Sequence, residues 1–500
     1  MMSTGCQRAF RDKKERKVVF MKLRDILNGI AILEMVADPE LEISSVECDS
    51  RKVSEGSLFV AIRGFETDGN KYIGSAIKNG AVAIITDDEK TECENRILVS
   101  DARCALALSA KSFHRDPTKD MKIIGITGTN GKTTVTYLIK HCLEKAGAKC
   151  GLIGTNQNMI GDRVLETERT TPESNALWEF FAMMRDEGCT HVIMEVSSHS
   201  LELSRVAGIE YDVGAFTNLT QDHLDFHETM ENYEAAKAKL FNQSKLGVLN
   251  YDDEAGKRIS EKATAETVTY STKSSEADYV AKNIKTKADS VAFELVGIDS
   301  IMRIKLNIPG KFSVYNAMCA VSVLRALNVD CEIISQSLRE VGGVKGRAEV
   351  VPTETEYTVM IDYAHTPDGL ENILKTVADV CEGRVICVFG CGGDRDRTKR
   401  PKMGKIAAMY SDIVVVTSDN PRTENPDAII DEIIQGVVEA DKKYIRETDR
   451  KKAIFRALDM AEKGDIIVLA GKGHETYQEI NHIKHHMDER EIVNEYFLGR

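Results

Sequence analysis

The sequence predicts an α/β protein of three domains, and three observations lead to that prediction. A chain of 500 residues exceeds one ordinary core, and domains of roughly 100–200 residues make about three the expected number. Short apolar runs typical of buried strands alternate with segments of helical periodicity. Polar or glycine-rich turns follow many of these runs, where α/β folds bind ligands. We expect a leader of residues 1–20 and domains at 21–117, 118–343 and 344–500.

The composition is that of an ordinary globular protein, with 42% hydrophobic and 29% charged residues. A net charge of −13 argues against nucleic acid or an anionic membrane as partner, since either favours a basic face. No apolar run has the length of a membrane span or the flanks of a signal peptide. The 12 cysteines form no Cys-x-x-Cys pair, which favours a reducing cytoplasm over a zinc site or a disulfide framework.

The leader is basic and polar, and the segment from Met21 onward reads like a second protein start. A nucleic-acid-binding or targeting arm is the functional alternative, but no long amphipathic face supports it. We predict a disordered tail or an upstream start codon. Its cations are Arg8, Arg11, Lys13, Lys14, Arg16 and Lys17.

The first domain shows strand-like runs at 58–62 and 81–85 and a helical pattern at 72–79. Polar loops at 48–53 and 63–69 lie at strand ends, where they are either ligand contacts or solvated turns.

The second domain begins with a phosphate-binding loop. An apolar strand at 123–126 turns through two glycines into a helical segment, so backbone N–H groups and the helix dipole can surround an anion. The two glycines are separated by two residues rather than the four of the generic motif, and a plain glycine-rich turn is the alternative. Strand, turn, Gly-Lys-Thr and helix in that order predict a nucleoside triphosphate site. Its residues are Gly128, Thr129, Asn130, Gly131, Lys132, Thr133 and Thr134.

Three later segments of this domain, whose strands and helices alternate as in a mostly parallel sheet, carry candidate groups. An apolar strand at 190–198 delivers Glu195 to its carboxyl end, where an acid can approach the metal of a phosphate-binding loop or cap the next turn. His223 and His227 lie in a dense polar cluster, and most such histidines are structural. Lys237 lies on a helix, where a solvated lysine is the ordinary interpretation.

The third domain follows a hinge-like segment at 342–347 and has the pattern of a second doubly wound sheet. Its apolar strands are 358–362, 384–390, 412–417 and 465–470. Four charged loops follow these strands and should converge along one sheet edge as a substrate pocket. These loops are 362–368, 392–396, 419–422 and 471–475.

The order of these segments resembles the Mur ligase family, which builds the bacterial cell-wall peptide, over nearly the full chain from Met21. The resemblance rests on the segments 128–134, 195–199, 218–227, 233–237 and 362–367. Within the family, Asp-Ser-Arg at 49–51 and Asp-Asn-Pro-Arg at 419–422 look like the member that adds meso-diaminopimelate.

The resemblance implies an N-terminal α/β domain that binds the UDP end of a substrate, a central phosphate-binding-loop sheet domain and a C-terminal Rossmann-like domain. Ser50 would contact the UDP part, while Leu203 is a departure from relatives that carry Gln there. The sugar, phosphate or peptide part would be held by Thr170, Thr171, Ser197 and Arg205.

The resemblance also implies ATP and Mg²⁺. Lys132, Glu195, His223 and Lys237 would be the catalytic set, with Thr133, Glu195, His223 and Lys237 at the metal. The family carries the matching lysine as a carbamate, which makes chemical sense because an N-carboxylate binds Mg²⁺ and an amine or ammonium does not. ATP binding would be completed across the hinge by Asn316, Arg347 and Asp362.

The amino-acid site would use the strand-end loops of the third domain. A planar Arg guanidinium suits a carboxylate, so Arg422 would bind the distal carboxylate of diaminopimelate, and Asp419 and Glu475 its distal ammonium. Alternatively, Arg422 only pairs with Glu424 or Asp427. The full set is Arg395, Asp419, Asn420, Pro421, Arg422, Gly471 and Glu475.

The implied activity is an ATP-dependent amide ligase that joins meso-diaminopimelate to UDP-N-acetylmuramoyl-L-Ala-D-Glu in cell-wall precursor synthesis. We expect a cytoplasmic monomer with no nucleic-acid partner and no membrane span. A lysine-adding relative, a folylpolyglutamate-synthase-like ligase and a non-catalytic nucleotide-binding regulator are the alternatives.

Overall fold

The computed structural model describes residues 20–64, 67–165, 169–287, 289–297 and 300–498, so the predicted basic leader falls almost wholly outside the described residues. These residues fold as two compact units. The first contains the described residues up to Lys122, together with Thr171–Thr190 and His199–Glu210. The second contains Ile123–Thr170, His191–Ser198 and the chain from Tyr211 onward.

The first unit is built on one sheet of five strands in the order β2-β7-β6-β5-β4, with the pair β1-β3 beside it in sequence. β4, β5, β6 and β7 are parallel, and β2 joins antiparallel at the edge. Its strands are β1 (Met21–Lys22), β2 (Ile32–Met35), β3 (Glu42–Ile43), β4 (Ser45–Glu47), β5 (Ser57–Ala61), β6 (Ala81–Thr86) and β7 (Arg96–Val99). Its helices are α1 (Leu23–Ile26), α2 (Ile73–Lys78), α3 (Ala102–Phe113), α5 (Ser174–Asp186) and most of α6 (Ser198–Glu202), with 3-10 turns at Gly69–Tyr72 and Pro117–Asp120.

The two predicted strands and the predicted helix of this unit are present. Every residue of β5 is buried because helices cover both faces of a parallel sheet. The predicted helix at 72–79 is α2, and a 3-10 turn precedes it, which Asp68 caps by accepting a hydrogen bond from the amide of Asn70.

The second unit contains a sheet of eleven strands in the order β11-β10-β9-β12-β8-β13-β14-β15-β16-β17-β18. Its strands are β8 (Lys122–Thr127), β9 (Cys150–Ile153), β10 (Asn158–Ile160), β11 (Arg163–Leu165), β12 (His191–Glu195), β13 (Tyr211–Phe216), β14 (Ser244–Asn250), β15 (Glu266–Ser271), β16 (Tyr279–Thr286), β17 (Val291–Val296) and β18 (Ile301–Leu306). Its helices are α4 (Lys132–Lys145), α7 (Leu224–His227), α8 (Met230–Ala238), α9 (Glu254–Lys262), α10 (Lys311–Ala326) and α11 (Cys331–Glu340), with a 3-10 turn at Lys239–Gln243.

This sheet is parallel in its centre, as the sequence predicts. β8, β13, β14, β15 and β16 run parallel, whereas β10-β11 and β16-β17-β18 add antiparallel edges. β8 delivers the phosphate-binding loop directly into α4, and β12 ends next to β8 at Glu195.

The second unit also contains a six-stranded sheet in the order β19-β20-β24-β21-β22-β23. The predicted apolar strands are its central four, all parallel. The strands are β19 (Glu349–Val351), β20 (Thr358–Asp362), β21 (Val385–Phe389), β22 (Ile413–Val416), β23 (Tyr444–Arg446) and β24 (Ile466–Ala470), followed by the hairpin β25 (Tyr477–Ile480) and β26 (Ile483–His486). The helices are α12 (Pro367–Ala378), α13 (Lys399–Tyr410), α14 (Pro426–Glu439), α15 (Arg450–Met460) and α16 (Glu489–Leu498).

Two expectations drawn from composition can be compared with this fold. Within the described ranges, no helix is both long enough and apolar enough to cross a bilayer. Every cysteine in those ranges is a free thiol.

α13 and α14 cross at two glycines, and this crossing fixes how the helices cover the C-terminal sheet. A Cβ on Gly436 would lie 1.8 Å from the carbonyl oxygen of Pro401, and one on Gly404 would lie 2.1 Å from that of Ile433. Both obstacles are backbone atoms, which cannot rotate away, so the two helices approach this closely only through glycine.

We predict that Gly436→Ala lowers the thermal unfolding midpoint. Helix propensity alone would favour Ala by about 1 kcal/mol, but overpacking against a backbone atom costs roughly 1–3 kcal/mol or more. Gly74→Ala in α2 is the matched control, because its Cβ meets no atom within 4 Å. A midpoint for Gly436→Ala equal to or above that of Gly74→Ala, measured by circular dichroism, would contradict the crossing described here.

Candidate active site

The phosphate-binding loop connects β8 to α4 through two glycines with positive φ. Gly128 has φ +145°, and its Cβ would lie 1.9 Å from Oγ1 of Thr217; Gly131 has φ +87°, and its Cβ would lie 2.4 Å from Oδ1 of Asn316. Gly131 occupies the N-cap of α4 and offers no side-chain acceptor to the first turn. The helix terminus and its dipole are therefore directed at the loop, as an anion site requires.

Lys132 folds back over its own loop. Its Nζ donates to the carbonyl oxygens of Gly128 and Thr129, each at 2.9 Å. Burial is the main cause that lowers the pKa of Lys132, and the nearby Glu195 carboxylate opposes it. The cation is thereby held at the mouth of the loop, where a β- or γ-phosphate would bind.

Glu195 at the end of β12 points toward the phosphate-binding loop. It is 1% exposed, and its Oε1 accepts from Oγ1 of Thr133 at 2.9 Å. Thr155 donates to the same carboxylate from its backbone N and from its Oγ1, both at 2.9 Å. A Cβ on Gly154 would fall 2.5 Å from Oε1, so glycine is required for this approach.

Lys237 is buried beneath the same loop and is not a solvated helix lysine. It is 1% exposed on α8, and its Nζ donates to the carbonyl oxygen of Gly128 at 2.9 Å. The Nζ also lies 4.4 Å from the centre of the Tyr233 ring. Burial first, and then the neighbouring Lys132 cation, lower the pKa of Lys237 well below its ordinary value.

The two histidines of the 221–227 segment differ in their surroundings. His223 has φ +54°, and its ring meets the Tyr233 ring edge-on at 6.1 Å. Partial burial lowers the pKa of His223, Asp222 opposes this, and the two lysines of the site add to the lowering. His227 is buried, with Nε2 2.9 Å from Oγ of Ser198, which indicates a structural role.

The donors at this loop fit Mg²⁺. In the part of the chain that the structure describes, no three His, Cys, Asp or Glu side chains cluster as a ready-made metal site. The Glu195 carboxylate and the Thr133 hydroxyl supply hard oxygen donors in contact with one another, which suits Mg²⁺ better than a transition metal. An unmodified Lys237 supplies no donor to a cation.

Asn316 lies against the phosphate-binding loop, whereas Arg347 and Asp362 lie at the hinge-like segment. Asn316 on α10 is buried against Gly131. Asp362 ends β20 and accepts from the amides of Ala348 at 2.7 Å and Ala364 at 2.8 Å. Burial raises the pKa of Asp362, and the Arg347 guanidinium opposes it.

Arg347 stacks on the C-terminal sheet. Its guanidinium carbon lies 5.0 Å from the centre of the Tyr363 ring, and its buried Nε makes no hydrogen bond to any described residue. Nearby, Asn130 and Thr220 each donate to Oδ2 of Asp368 at 3.3 Å. The phosphate-binding loop and the first loop of the C-terminal sheet are therefore in direct contact, as a nucleotide site spanning the hinge requires.

The four charged loops of the C-terminal sheet follow the adjacent parallel strands β20, β24, β21 and β22, so they lie along one edge, as predicted. Asp419 and Asn420 are buried there, and Nδ2 of Asn420 donates to Oε2 of Glu475 at 2.9 Å. Gly471 has φ +111°, and its Cβ would lie 2.8 Å from Oδ2 of Asp419. Two predicted carboxylates thus share one edge of the sheet.

Arg422 has neither of the partners that the sequence suggested. Glu424 pairs with Arg400, and Asp427 pairs with Arg446. Arg422 adopts φ +50°; its Nη1 donates to the carbonyl oxygen of Gly393 at 2.8 Å, and its Nε lies 3.2 Å from Oε2 of Glu479 on β25. A left-handed conformation in a non-glycine residue is typical of functional positions.

Two other members of the predicted amino-acid set complete this edge. Pro421 is buried, next to Arg422 in the loop, and Arg395 is exposed in the loop that follows β21.

Three residues predicted to hold the UDP-linked substrate lie in the first unit. Ser50 lies in the turn after β4, and its carbonyl oxygen accepts from Nδ2 of Asn79 at 2.8 Å. Arg205 Nε lies 3.3 Å from Oε2 of Glu173, and Arg205 Nη1 donates to the carbonyl oxygen of Thr171 at 3.5 Å. Arg205 and Thr171 are thus neighbours, whereas Ser50 belongs to a different turn. Leu203, the departure from the family pattern, is half-buried.

The two remaining substrate candidates lie in the second unit, close to Glu195. Oγ1 of Thr170 lies 3.0 Å from Oγ1 of Thr155, whose hydroxyl also donates to Glu195. Ser197 follows β12 and is half-buried.

Sequence reasoning missed several residues that complete these sites. Lys472 lies inside the predicted 471–475 loop and carried a visible signal, a lysine between two glycines. Thr155 and Arg450 carried none, because their contacts with Glu195 and with Ser418 and Ala470 depend on tertiary packing.

Three family models match the chain in order. They are described as the Mur ligase family catalytic domain over residues 42–114, the Mur ligase middle domain over 126–324 and the Mur ligase glutamate ligase domain over 346–473.

Named relatives are similar over nearly the full length. The chain is 48% identical over 478 residues to a UDP-N-acetylmuramoyl-L-alanyl-D-glutamate–2,6-diaminopimelate ligase of Caldanaerobacter subterraneus, covering 95% of this chain and 98% of the relative. It is 45% identical over 480 residues to the ligase of that name numbered 1 in Clostridium acetobutylicum, covering 95% and 99%. A solved structure of a ligase of that name shares 32% identity with a TM-score of 0.73, covering 96% of this chain and 99% of its own. The chain belongs to the Mur ligase family.

Proposed function

We propose that the protein is an ATP-dependent amide ligase. It joins meso-diaminopimelate to the D-glutamyl carboxylate of UDP-N-acetylmuramoyl-L-Ala-D-Glu, in the synthesis of peptidoglycan precursors. The observation that carries this proposal is the meeting of Lys132 and the buried Lys237 at the carbonyl of Gly128, beside Glu195. The names of the relatives supply the substrate class.

The chemistry must overcome the stability of a carboxylate, which is a poor acyl donor. Transfer of the γ-phosphoryl group of ATP to the D-glutamyl γ-carboxylate would form an acyl phosphate and release ADP. Lys132 at the loop mouth would offset the charge that develops on the transferred group. The amine of the incoming amino acid then attacks the acyl carbon, loses a proton, and the tetrahedral intermediate expels phosphate.

Thr133, Glu195 and His223 are the residues that would hold Mg²⁺, which in this reaction screens phosphate charge. Lys237 would join them as a carbamate, formed when its amine binds carbon dioxide and loses a proton. Burial favours this chemistry because it lowers the pKa of the amine and so increases its neutral, nucleophilic fraction.

The amino-acid pocket would lie along the C-terminal sheet edge. The contacts of Arg422 with Gly393 and Glu479 orient its guanidinium, while its Nη2 makes no hydrogen bond to the described residues. That group is our candidate for the distal carboxylate of diaminopimelate, and Asp419 and Glu475 are candidates for the distal ammonium.

The proposed function also assigns a role to each predicted domain. We propose an N-terminal domain at 21–117 for the UDP end, a central ATP domain at 118–343 and a C-terminal domain at 344–500 that closes about 342–347. A cytoplasmic location and a monomeric state also remain predictions.

A folylpolyglutamate-synthase-like ligase is disfavoured because it would not use a separate five-stranded domain before residue 118. A regulator that only binds nucleotide would have no use for four charged loops along one sheet edge. A lysine-adding ligase differs only in the amino-acid pocket.

The first prediction separates these functions. Phosphate release from ATP should depend on both UDP-N-acetylmuramoyl-dipeptide and meso-diaminopimelate, and a folate with glutamate should not replace them. Release that ignores both substrate pairs would favour the regulator instead.

The second prediction concerns Lys237. Lys237→Ala should reduce ligation by about 100-fold or more, since the variant removes a group aimed at the phosphate loop. A short-chain carboxylate added to the assay should restore part of the activity. Lys262→Ala on the exposed surface of α9 is the control and should retain wild-type rates. Full activity in Lys237→Ala would contradict the proposed role of Lys237 as a metal ligand.

The third prediction concerns the amino acid. L-Lysine lacks the distal carboxylate and would leave the Arg422 cation without a substrate partner, at a cost of roughly 2–5 kcal/mol, so the wild type should use meso-diaminopimelate far better than L-lysine in kcat/KM. Arg422→Ala should lose most of that preference. Arg446→Ala, which removes an exposed ion pair with Asp427 and Asp431, should retain it. Comparable kcat/KM for both amino acids in the wild type would favour the lysine-adding ligase.

A further inference from the structure

Lys472 is a completely buried cation in the amino-acid loop. It is 0% exposed and lies between Gly471 and Gly473, whose positive φ values of 111° and 53° turn the chain on either side of it. Its Nζ donates to Oε2 of Glu475 at 2.7 Å and to Oδ1 of Asn420 at 2.8 Å. A buried lysine is costly unless its charge is paired, and here the pairing partner is the Glu475 carboxylate.

The two oxygens of Glu475 are used unequally. Oε2 accepts from Lys472 and from Nδ2 of Asn420, whereas Oε1 accepts no hydrogen bond from any described residue. The Asn420 amide is itself fixed, because its Oδ1 also accepts from the backbone N of Glu479 at 2.9 Å. The carboxylate is thus anchored through one oxygen and presents the other.

A second buried cation lies close by but has its own anion. Arg450 is 2% exposed, and its Nε donates to Oε1 of Glu489 at 2.9 Å. Its guanidinium also donates to the carbonyl oxygens of Ser418 at 3.3 Å and Ala470 at 2.8 Å, at the ends of β22 and β24. Arg450 therefore braces the strand ends, and it does not replace Lys472 as the partner of Glu475.

We propose that Lys472 is a positioning and specificity-determining residue that fixes Glu475 so that Oε1 receives the second amino group of a diamino acid substrate. This inference rests on the proposed function and assigns a role to a residue outside the predicted amino-acid set. The substrate ammonium and Lys472 would contact opposite oxygens of one carboxylate. Without Lys472, Glu475 keeps only the hydrogen bond from Asn420, and a substrate that carries the second amino group loses a fully oriented acceptor.

The test compares meso-diaminopimelate with 2-aminopimelate, the analogue that lacks only the distal amino group. In K472M the KM for diaminopimelate should rise at least tenfold, while the KM for 2-aminopimelate and for ATP should change less than threefold. K472R retains a cation at the position and should restore part of the difference. K463M is the matched control, since Lys463 is exposed and pairs only with Glu356 among the described residues.

Several outcomes would overturn the proposal. An unchanged ratio of the two KM values in K472M would mean that Lys472 does not act through Glu475. A lower KM for diaminopimelate would mean that Lys472 repels the substrate ammonium instead of orienting its acceptor. Failure of both K472M and K472R to fold would leave Lys472 a purely structural ion pair. Wild-type protein that ligates neither amino acid would refute the proposed function, and this inference with it.

Discussion

The carbonyl oxygen of Gly128 accepts hydrogen bonds from two lysines, and much of the molecule serves to make that contact possible. Lys132 approaches from α4 and Lys237 from α8, each at 2.9 Å. Burial lowers the pKa of each lysine, and the neighbouring Lys132 cation lowers the pKa of Lys237 further. Such a site is stable when anions balance it, and a bound phosphate together with Glu195 would supply them.

The surrounding elements follow from this constraint. The parallel centre of the large sheet places the ends of β8 and β12 side by side, so that Thr133 and Glu195 touch. Glycine at 128, 131 and 154 lets backbone and side chains approach closer than any Cβ would permit. The contact of Asp368 with Asn130 joins the loop to the C-terminal sheet. The phosphate-binding loop and the charged loops of the C-terminal sheet are therefore connected by a direct hydrogen bond.

The sequence predicted the elements whose signals are local. The phosphate-binding loop, the four parallel strands and the convergence of their loops all come from apolar runs and turn residues. It did not predict the antiparallel pair β10-β11, because strands of three residues carry little periodicity. The antiparallel pair β17-β18 was also not predicted, although burial alternates along both strands. The burial of Lys237 was also hidden, since a helical lysine looks the same whether or not other elements cover it.

Ion pairs between residues distant in sequence were also not predictable from local patterns. The alternative that Arg422 only pairs with Glu424 or Asp427 was wrong, because its partner Glu479 lies on a later hairpin. The sequence did not indicate a role for Arg450, because its hydrogen bonds join two strand ends that meet only in the folded protein. The family resemblance identified Lys237 as a candidate residue. Only the packing around Lys237 explains why its position suits that role. Long-range ion pairs are decided by topology, which single-sequence patterns do not encode.

The proposed metal site depends on the burial of Lys237, which prepares its amine to carry a carbamate beside Glu195. Carbon-13 NMR of the protein in ¹³C-labelled bicarbonate tests this most directly, with Lys237→Ala as the reference. We expect a protein-bound carbamate resonance in the wild type that is missing from the variant. Identical spectra from the two proteins would contradict it.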